Sequence, residues 1–129
     1  MIIIDSSAMV EALTGHDADA ELIDALRTGL HAPHLLDVEV LSTLRGLVLG
    51  GKLGATAAEQ ARADYLALEI TRHGAMGIAE RIWELRHNYT ASDASYLALA
   101  EALDVPLYTC DGKLDSGGHA ADVQIFPRS

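Results

Sequence analysis

Apolar positions along this chain alternate between short unbroken runs and helical spacing. Ile2, Ile3 and Ile4 read as a short buried strand running into Asp5-Ser6-Ser7, which are helix-start residues for a segment over Ala8 to Leu13 that Gly15 ends. Ala18, Leu22, Ile23 and Leu26 follow helical spacing and predict a helix from Ala18 to Thr28, with Gly29 closing it before a second strand, Leu30 to Ala32. Pro33 then opens a longer helix in which Leu36, Val40, Leu44 and Leu47 form one stripe, widened by Leu41 and Val48, with Glu39 beside it. After the turn Gly50-Gly51-Lys52-Leu53-Gly54, Thr56-Ala-Ala-Glu59 is a capping-box signature for a helix ending near Leu66.

Leu68 to Thr71 reads as a third strand. Gly77 to Arg86 is helical, with Ile78, Ile82 and Leu85 on one face, and Thr90-Ala-Ser-Asp93 starts a helix that runs to Leu103. Val105 to Thr109 is a fourth strand, Gly112 to Gly118 a loop with one helical turn, and Val123 to Phe126 a fifth strand. Strands separated by helical segments predict an α/β fold: a three-layer α/β/α sandwich around a mostly parallel sheet of about five strands.

At 129 residues the chain is expected to form one domain, 1–129. Its formal net charge of −10 argues against holding nucleic acid by a broad basic surface, a mode that neutralises phosphates with many Lys and Arg. Contact with RNA would be local, at a pocket where bound divalent cations reverse the sign of the carboxylates. The single Cys110 excludes an intrachain disulfide, and Ile2 to Ile4 is too short for a signal peptide or membrane span, so a cytosolic protein is expected. Six histidines without an HExxH motif or paired Cys/His spacing give zinc chemistry no support.

Four acids stand where such a chain leaves a strand or enters a helix: Asp5, Glu39, Asp93 and Asp111. Each has an ordinary alternative. Asp5 suits an N-cap, Asp93 the acidic member of a capping box with Thr90, Glu39 a solvated helix flank, and Asp111-Gly112 a turn. Jointly they point elsewhere, because a parallel sheet gathers such positions at the carboxyl ends of its strands. Carboxylates within about 4 Å repel by roughly 4 kcal/mol per pair at an effective dielectric of 20, so the cluster implies compensating cations or protons. Hard oxygen donors suit Mg2+ or Mn2+. A dehalogenase-type phosphatase would need an acid where Ser7 stands, and a response-regulator receiver would need an acidic pair after the first strand and a lysine near the fifth.

Trp83 to Leu103, carrying Asn-Tyr-Thr-Ala-Ser-Asp93-Ala-Ser-Tyr-Leu-Ala-Leu-Ala, followed by Pro106-Leu-Tyr-Thr-Cys-Asp111, resembles the carboxyl-terminal half of PIN-domain ribonucleases, and within them the VapC toxins of toxin–antitoxin pairs. Met1 to Met9 resembles the family's opening strand and first acid, and Pro33 to Glu39 the helix carrying its second. The resemblance implies that Asp5, Glu39, Asp93 and Asp111 are the catalytic quartet. Asp5, Asp93 and Asp111 would ligate Mg2+ or Mn2+, Glu39 would reach the metal through water, and Ser7 and Thr109 would support them. Asp115 is offset from the fifth acid of some members and reads as a solvated loop residue. Gly112 to Ala121 departs from the basic stretch expected there, having only Lys113 and His119.

The activity so implied is hydrolysis of a structured cellular RNA, such as a tRNA or rRNA loop, to 5′-phosphate and 3′-hydroxyl ends. A catalytically silent binding module and a metal-dependent DNA nuclease are the alternatives. Lys52, Arg45, Arg81 and Arg86 are candidate RNA contacts, with Lys52 in its glycine-rich turn foremost. Cys110 reads as a small residue packed at a strand end, and Trp83 as core or interface. The resemblance further implies a VapB-type antitoxin, whose basic tail the acidity favours, and a homodimer.

Overall fold

The isoleucine run Ile2–Ile4 is the central strand, β1, of the computed structural model, which describes residues Met1–Ser129. It pairs in parallel with β2 (Leu30–Pro33) on one side and with β4 (Leu107–Thr109) on the other, Ile2 lying opposite Leu30 and Ile3 opposite Leu107. β3 (Ile70–His73) extends the sheet beyond β2 and β5 (Val123–Ile125) beyond β4, giving the all-parallel order β3-β2-β1-β4-β5. Flanked on both edges and covered on both faces, β1 buries all three isoleucines, which is why its sequence shows no polar alternation.

The connections leading from β1 to β2 to β3 carry α1 (Ser6–Thr14), α2 (Ala20–Ala25), α3 (Leu35–Leu49) and α4 (Ala55–Ala67), and α1, α3 and α4 pack on one another. The chain then returns across the sheet to β4 through α5 (Ala79–Glu84) and α6 (Ala91–Leu103). Right-handed crossovers running in opposite directions put the two helix sets on opposite faces. α6 lies against β1, β2 and β4, and is buried without interruption from Ala94 to Ala100. One contiguous core of 26 residues joins the layers.

Arg72 of β3 clamps the Asp37 carboxylate of α3 through its Nε and Nη2 at 2.9–3.1 Å, and the Tyr65 hydroxyl of α4 donates to the same group at 2.5 Å. The guanidinium holds Asp37 below the usual carboxylate range. This tie fixes the start of α3, the helix that carries Glu39.

Several boundaries differ from the sequence pattern. The Thr56–Glu59 capping box is not made: α4 begins at Ala55 with Gly54 as its cap, so Thr56 already lies inside the helix and Glu59 pairs with Arg62 at 2.8 Å. Pro33 ends β2 rather than opening a helix, since its fixed φ suits a strand end equally well, and α3 starts at Leu35. α2 is confined to Ala20–Ala25, where Asp19 caps it by accepting from the Glu21 N–H at 2.9 Å. β3 and β4 each begin two residues later than expected, and the segment Gly77 to Arg86 divides into a 3-10 turn, Met76–Ile78, and α5. Leu41 is 46% exposed, so the inward stripe of α3 narrows to Leu36, Val40 and Leu44, and Trp83 at 66% exposure is no core residue. No helix is long and apolar enough to cross a membrane.

Leu97 is fully buried within α6, and Leu49 at the end of α3 is 69% exposed. Leu97→Ala is expected to lower unfolding stability in urea by about 2–5 kcal/mol, and Leu49→Ala to change it by no more than about 0.5 kcal/mol.

Candidate active site

All five strands run the same way, so the residues that follow them, and the first turns of the helices they feed, collect along one sheet edge. The chain leaves β1 toward β2 and reaches β4 from the other face, which makes the β1–β4 junction the point where the winding reverses. Asp5 follows β1 immediately and Asp111 follows β4 by two residues, while Asp93 stands in the first turn of α6 and Glu39 one turn into α3.

Asp5 is the most constrained of the four. Its Oδ1 accepts from the Ser7 hydroxyl at 2.7 Å and from the Ala8 N–H at 3.0 Å, the latter as the cap of α1, and its Oδ2 accepts from the Thr109 hydroxyl at 2.5 Å. A carboxylate offers about four acceptor positions; three are taken, leaving one on Oδ2. The supporting hydroxyls are themselves fixed, Ser7 Oγ accepting from the Cys110 N–H and Thr109 Oγ1 from the Asp111 N–H, each at 2.9 Å. Burial nonetheless outweighs these hydrogen bonds and, with a smaller push from the Asp111 charge, raises the Asp5 carboxyl above its ordinary range.

Glu39 accepts from the Tyr96 hydroxyl of α6 at 2.5 Å. Burial raises its carboxyl, and the negative charges of Asp5 and Asp93 raise it further. The Tyr96 hydroxyl is driven far above its normal range by burial and by Glu39, so it remains a proton donor. Asp93 completes only half of the capping box: its N–H donates to Thr90 Oγ1 at 3.1 Å, and its carboxylate instead stands 3.7 Å from Lys113 Nζ. The same ammonium lies 3.5 Å from Asp111 Oδ2, while Asp111 Oδ1 accepts from the Lys113 N–H at 3.1 Å.

The four acids thus form one electrostatic unit, with Lys113 between two of them. As the side chains stand, no three acidic, histidine or cysteine groups close around a single ion. The donors are nevertheless all carboxylate oxygens, the chemistry Mg2+ and Mn2+ require, and Asp5, Asp93 and Asp111 could hold such an ion once Lys113, 64% exposed, swings outward.

Of the other residues singled out in the sequence, Lys52 lines a cavity that also contains Ser7, and Arg45 lies along a groove between α3 and α4. Arg81 is committed to Glu101 at 2.8 Å and to Glu84 at 3.7 Å, and Arg86 lies over the Trp83 ring at 4.7 Å. Asp115 is exposed at the end of a 3-10 turn, Gly112–Asp115. Cys110 is half-buried, and its thiol is pushed up to about 11 by burial and by Asp5, which leaves it unreactive at neutral pH. Sequence reasoning missed Tyr96 and Lys113. Tyr96 stands three positions after Asp93, on the same helix face, and Lys113 two positions after an Asp-Gly turn signal, so both left a trace in the sequence.

A family model described as PIN domain matches residues 2–119. Ribonuclease VapC9 of Mycobacterium tuberculosis (strain ATCC 25618 / H37Rv) is 43% identical over 129 residues, 99% of this chain and 100% of that protein. The crystal structure of Mycobacterium tuberculosis VapC20, a sarcin-ricin loop cleaving toxin, superposes with a TM-score of 0.63 at 21% identity, covering 93% of this chain and 97% of that one. VapBC-5 of the same organism, from the VapBC family of toxin–antitoxin systems, gives 0.55 at 21% identity, covering 98% and 97%. At these identities the two structures speak for the fold alone.

Because the folded state raises the Glu39 carboxyl, the neutral form is favoured on folding; the contribution is fully present below the unfolded value near 4.5 and is lost as pH rises through the raised folded value. Glu39→Gln keeps an acceptor for Tyr96 and removes the charge. In thermal melts of metal-free protein it is expected to raise Tm at pH 7 by on the order of 2 °C, with the gain vanishing below pH 4.5. A lower Tm at pH 7 would contradict the like-charge account.

Proposed function

The chain belongs to the PIN-domain family, among its VapC ribonucleases, and on that premise we propose that it is an endoribonuclease toxin that uses Mg2+ or Mn2+ to hydrolyse a structured cellular RNA. The observation that carries this reading is the convergence of Asp5, Glu39, Asp93 and Asp111 around a buried, hydrogen-bonded Asp5. Mg2+ or Mn2+, when bound, supplies positive charge to a phosphodiester that the acids alone would repel.

The rest is done by the chain's own groups. Ser7, Thr109 and the Ala8 N–H hold Asp5 in one orientation, so one lone pair is presented in a fixed direction. Asp93 and Asp111 face each other across the Lys113 ammonium, which marks the space between them as one that accepts a cation. Glu39, whose carboxyl is raised by burial and by the charges of Asp5 and Asp93, is the group assigned to hold the attacking water and accept its proton. Tyr96 keeps its proton and steadies Glu39. Attack by water leaves 5′-phosphate and 3′-hydroxyl ends.

A VapB-type antitoxin is the partner this reading expects. The groove between α3 and α4, about 240 Å3 and lined by Leu41, Leu44, Val48 and Leu49, suits the apolar face of a partner helix, and the net charge of −10 suits a basic tail. A homodimer would cover the exposed Met76 and Trp83, at 88% and 66% exposure.

Antitoxin-free protein incubated with total cellular RNA in Mg2+, Mn2+ or EDTA is expected to produce discrete cuts only with metal. Asp5→Asn and Asp93→Asn, each verified as folded, should lose about 10²-fold or more of that activity. Cleavage undiminished in EDTA, 2′,3′-cyclic phosphate ends, or equal cutting of a matched DNA strand would each contradict a part of the proposal.

A further inference from the structure

A cavity of about 440 Å3 opens beside the acidic centre, between α1, α3 and the segment that follows β5. Ser7, whose hydroxyl donates to Asp5, lines it at one end. Thr43 and Leu47, one and two turns beyond Glu39 along α3, continue its wall toward Lys52 in the turn after that helix. Eight residues of helix from Glu39 to Leu47 advance about 12 Å, a span of a few nucleotides at roughly 3.4 Å per stacked step.

The cavity's cations are distinctive. Of the nine Lys and Arg residues, Arg62, Arg72, Arg81 and Lys113 lie within 4 Å of carboxylates, and Arg86 sits over Trp83. The other four, Arg27, Arg45, Lys52 and Arg128, are exposed and make no ion pair, and two of them, Lys52 and Arg128, line this one cavity, with His16 beside them. Arg128 is presented by an anchored segment: Phe126 is buried with its ring 4.8 Å from that of Tyr108, and Ser129 donates through its N–H and hydroxyl to the Glu11 carboxylate at 3.1 and 2.6 Å. Glu11, 7% exposed, can fold over the end of α1 because residue 15 is glycine; a Cβ there would overlap its carboxylate. The one acidic side chain lining the cavity is therefore engaged in holding the segment that carries Arg128.

We propose that this cavity is a phosphate subsite for RNA flanking the scissile bond, with Lys52 and Arg128 as its contacts; the inference rests on the ribonuclease reading above. In a chain of net charge −10, two unpaired cations in a cavity one hydrogen bond away from the acid centre give the strand a local anchor that the acids cannot supply. They also disfavour a basic protein tail at this position, which separates this surface from an antitoxin site.

The probe is a fluorescein-labelled oligouridine, titrated by anisotropy in EDTA over a series of salt concentrations, so that binding is read without cleavage. Wild type is expected to bind, and Lys52→Gln with Arg128→Gln to weaken binding tenfold or more. The plot of log K against log salt should flatten by about 1.4, because each phosphate left unneutralised on a single strand removes roughly 0.7 from the slope. Arg27→Gln, at the opposite edge of the sheet just before β2, should match wild type. No binding by wild type, an unchanged slope in the double variant, or an equal loss in Arg27→Gln would overturn the subsite. Cleavage of total RNA by the same preparations separates the two claims: wild-type cutting with an unaltered double variant leaves the ribonuclease and removes the subsite, whereas absence of wild-type cutting removes the ribonuclease itself.

Discussion

Mutual repulsion among carboxylates drawn to one edge of a parallel sheet is the constraint around which this molecule is arranged. Asp5 is buried where charge is costly and is held by three hydrogen bonds that only partly offset the cost. Glu39 is pushed toward its neutral form by burial and by Asp5 and Asp93 together, and Tyr96 is placed to donate to it. Lys113 spans Asp93 and Asp111. A fold that carries such unfavourable interactions in its ion-free form would gain from a cation, which is the physical ground for the metal in the proposed function.

The scaffold is ordered to sustain that strain. β1 is fully buried between β2 and β4, so Asp5 departs from the most rigid part of the sheet. The Asp37–Arg72–Tyr65 tie locks α3 to β3 and α4 two residues away from Glu39, and the uninterrupted burial of Ala94 to Ala100 fixes α6 beneath Asp93. Acids supplied by four separate segments are thereby carried by elements packed into one core.

Much of this was legible in the sequence, for identifiable reasons. The unbroken Ile2 to Ile4 run reads as a buried strand and is one, and a parallel sheet gathers acids that follow its strands at one edge. Boundaries were less legible because competing local signals had equal strength: Pro33 satisfies a strand end or a helix start, and the Thr56–Glu59 pattern lost to a helix capped two residues earlier, at Gly54. The cations were least legible. Whether Arg81 meets Glu101, or Lys52 and Arg128 share a cavity, depends on residues 20 and 76 positions apart, and the charge pattern alone carries no record of them.

In the function proposed above, the chemistry of the site rests on the four acids holding a cation. Thermal unfolding of the antitoxin-free protein at neutral pH, with and without Mn2+, reads this directly, because an ion bound only by the folded state stabilises it by about 2.7 kcal/mol at a hundredfold excess over its dissociation constant. A Tm that climbs with Mn2+ concentration, and a climb that disappears in Asp93→Asn, is the predicted result. A wild-type Tm that Mn2+ leaves unmoved, or a rise that persists in Asp93→Asn, would contradict it.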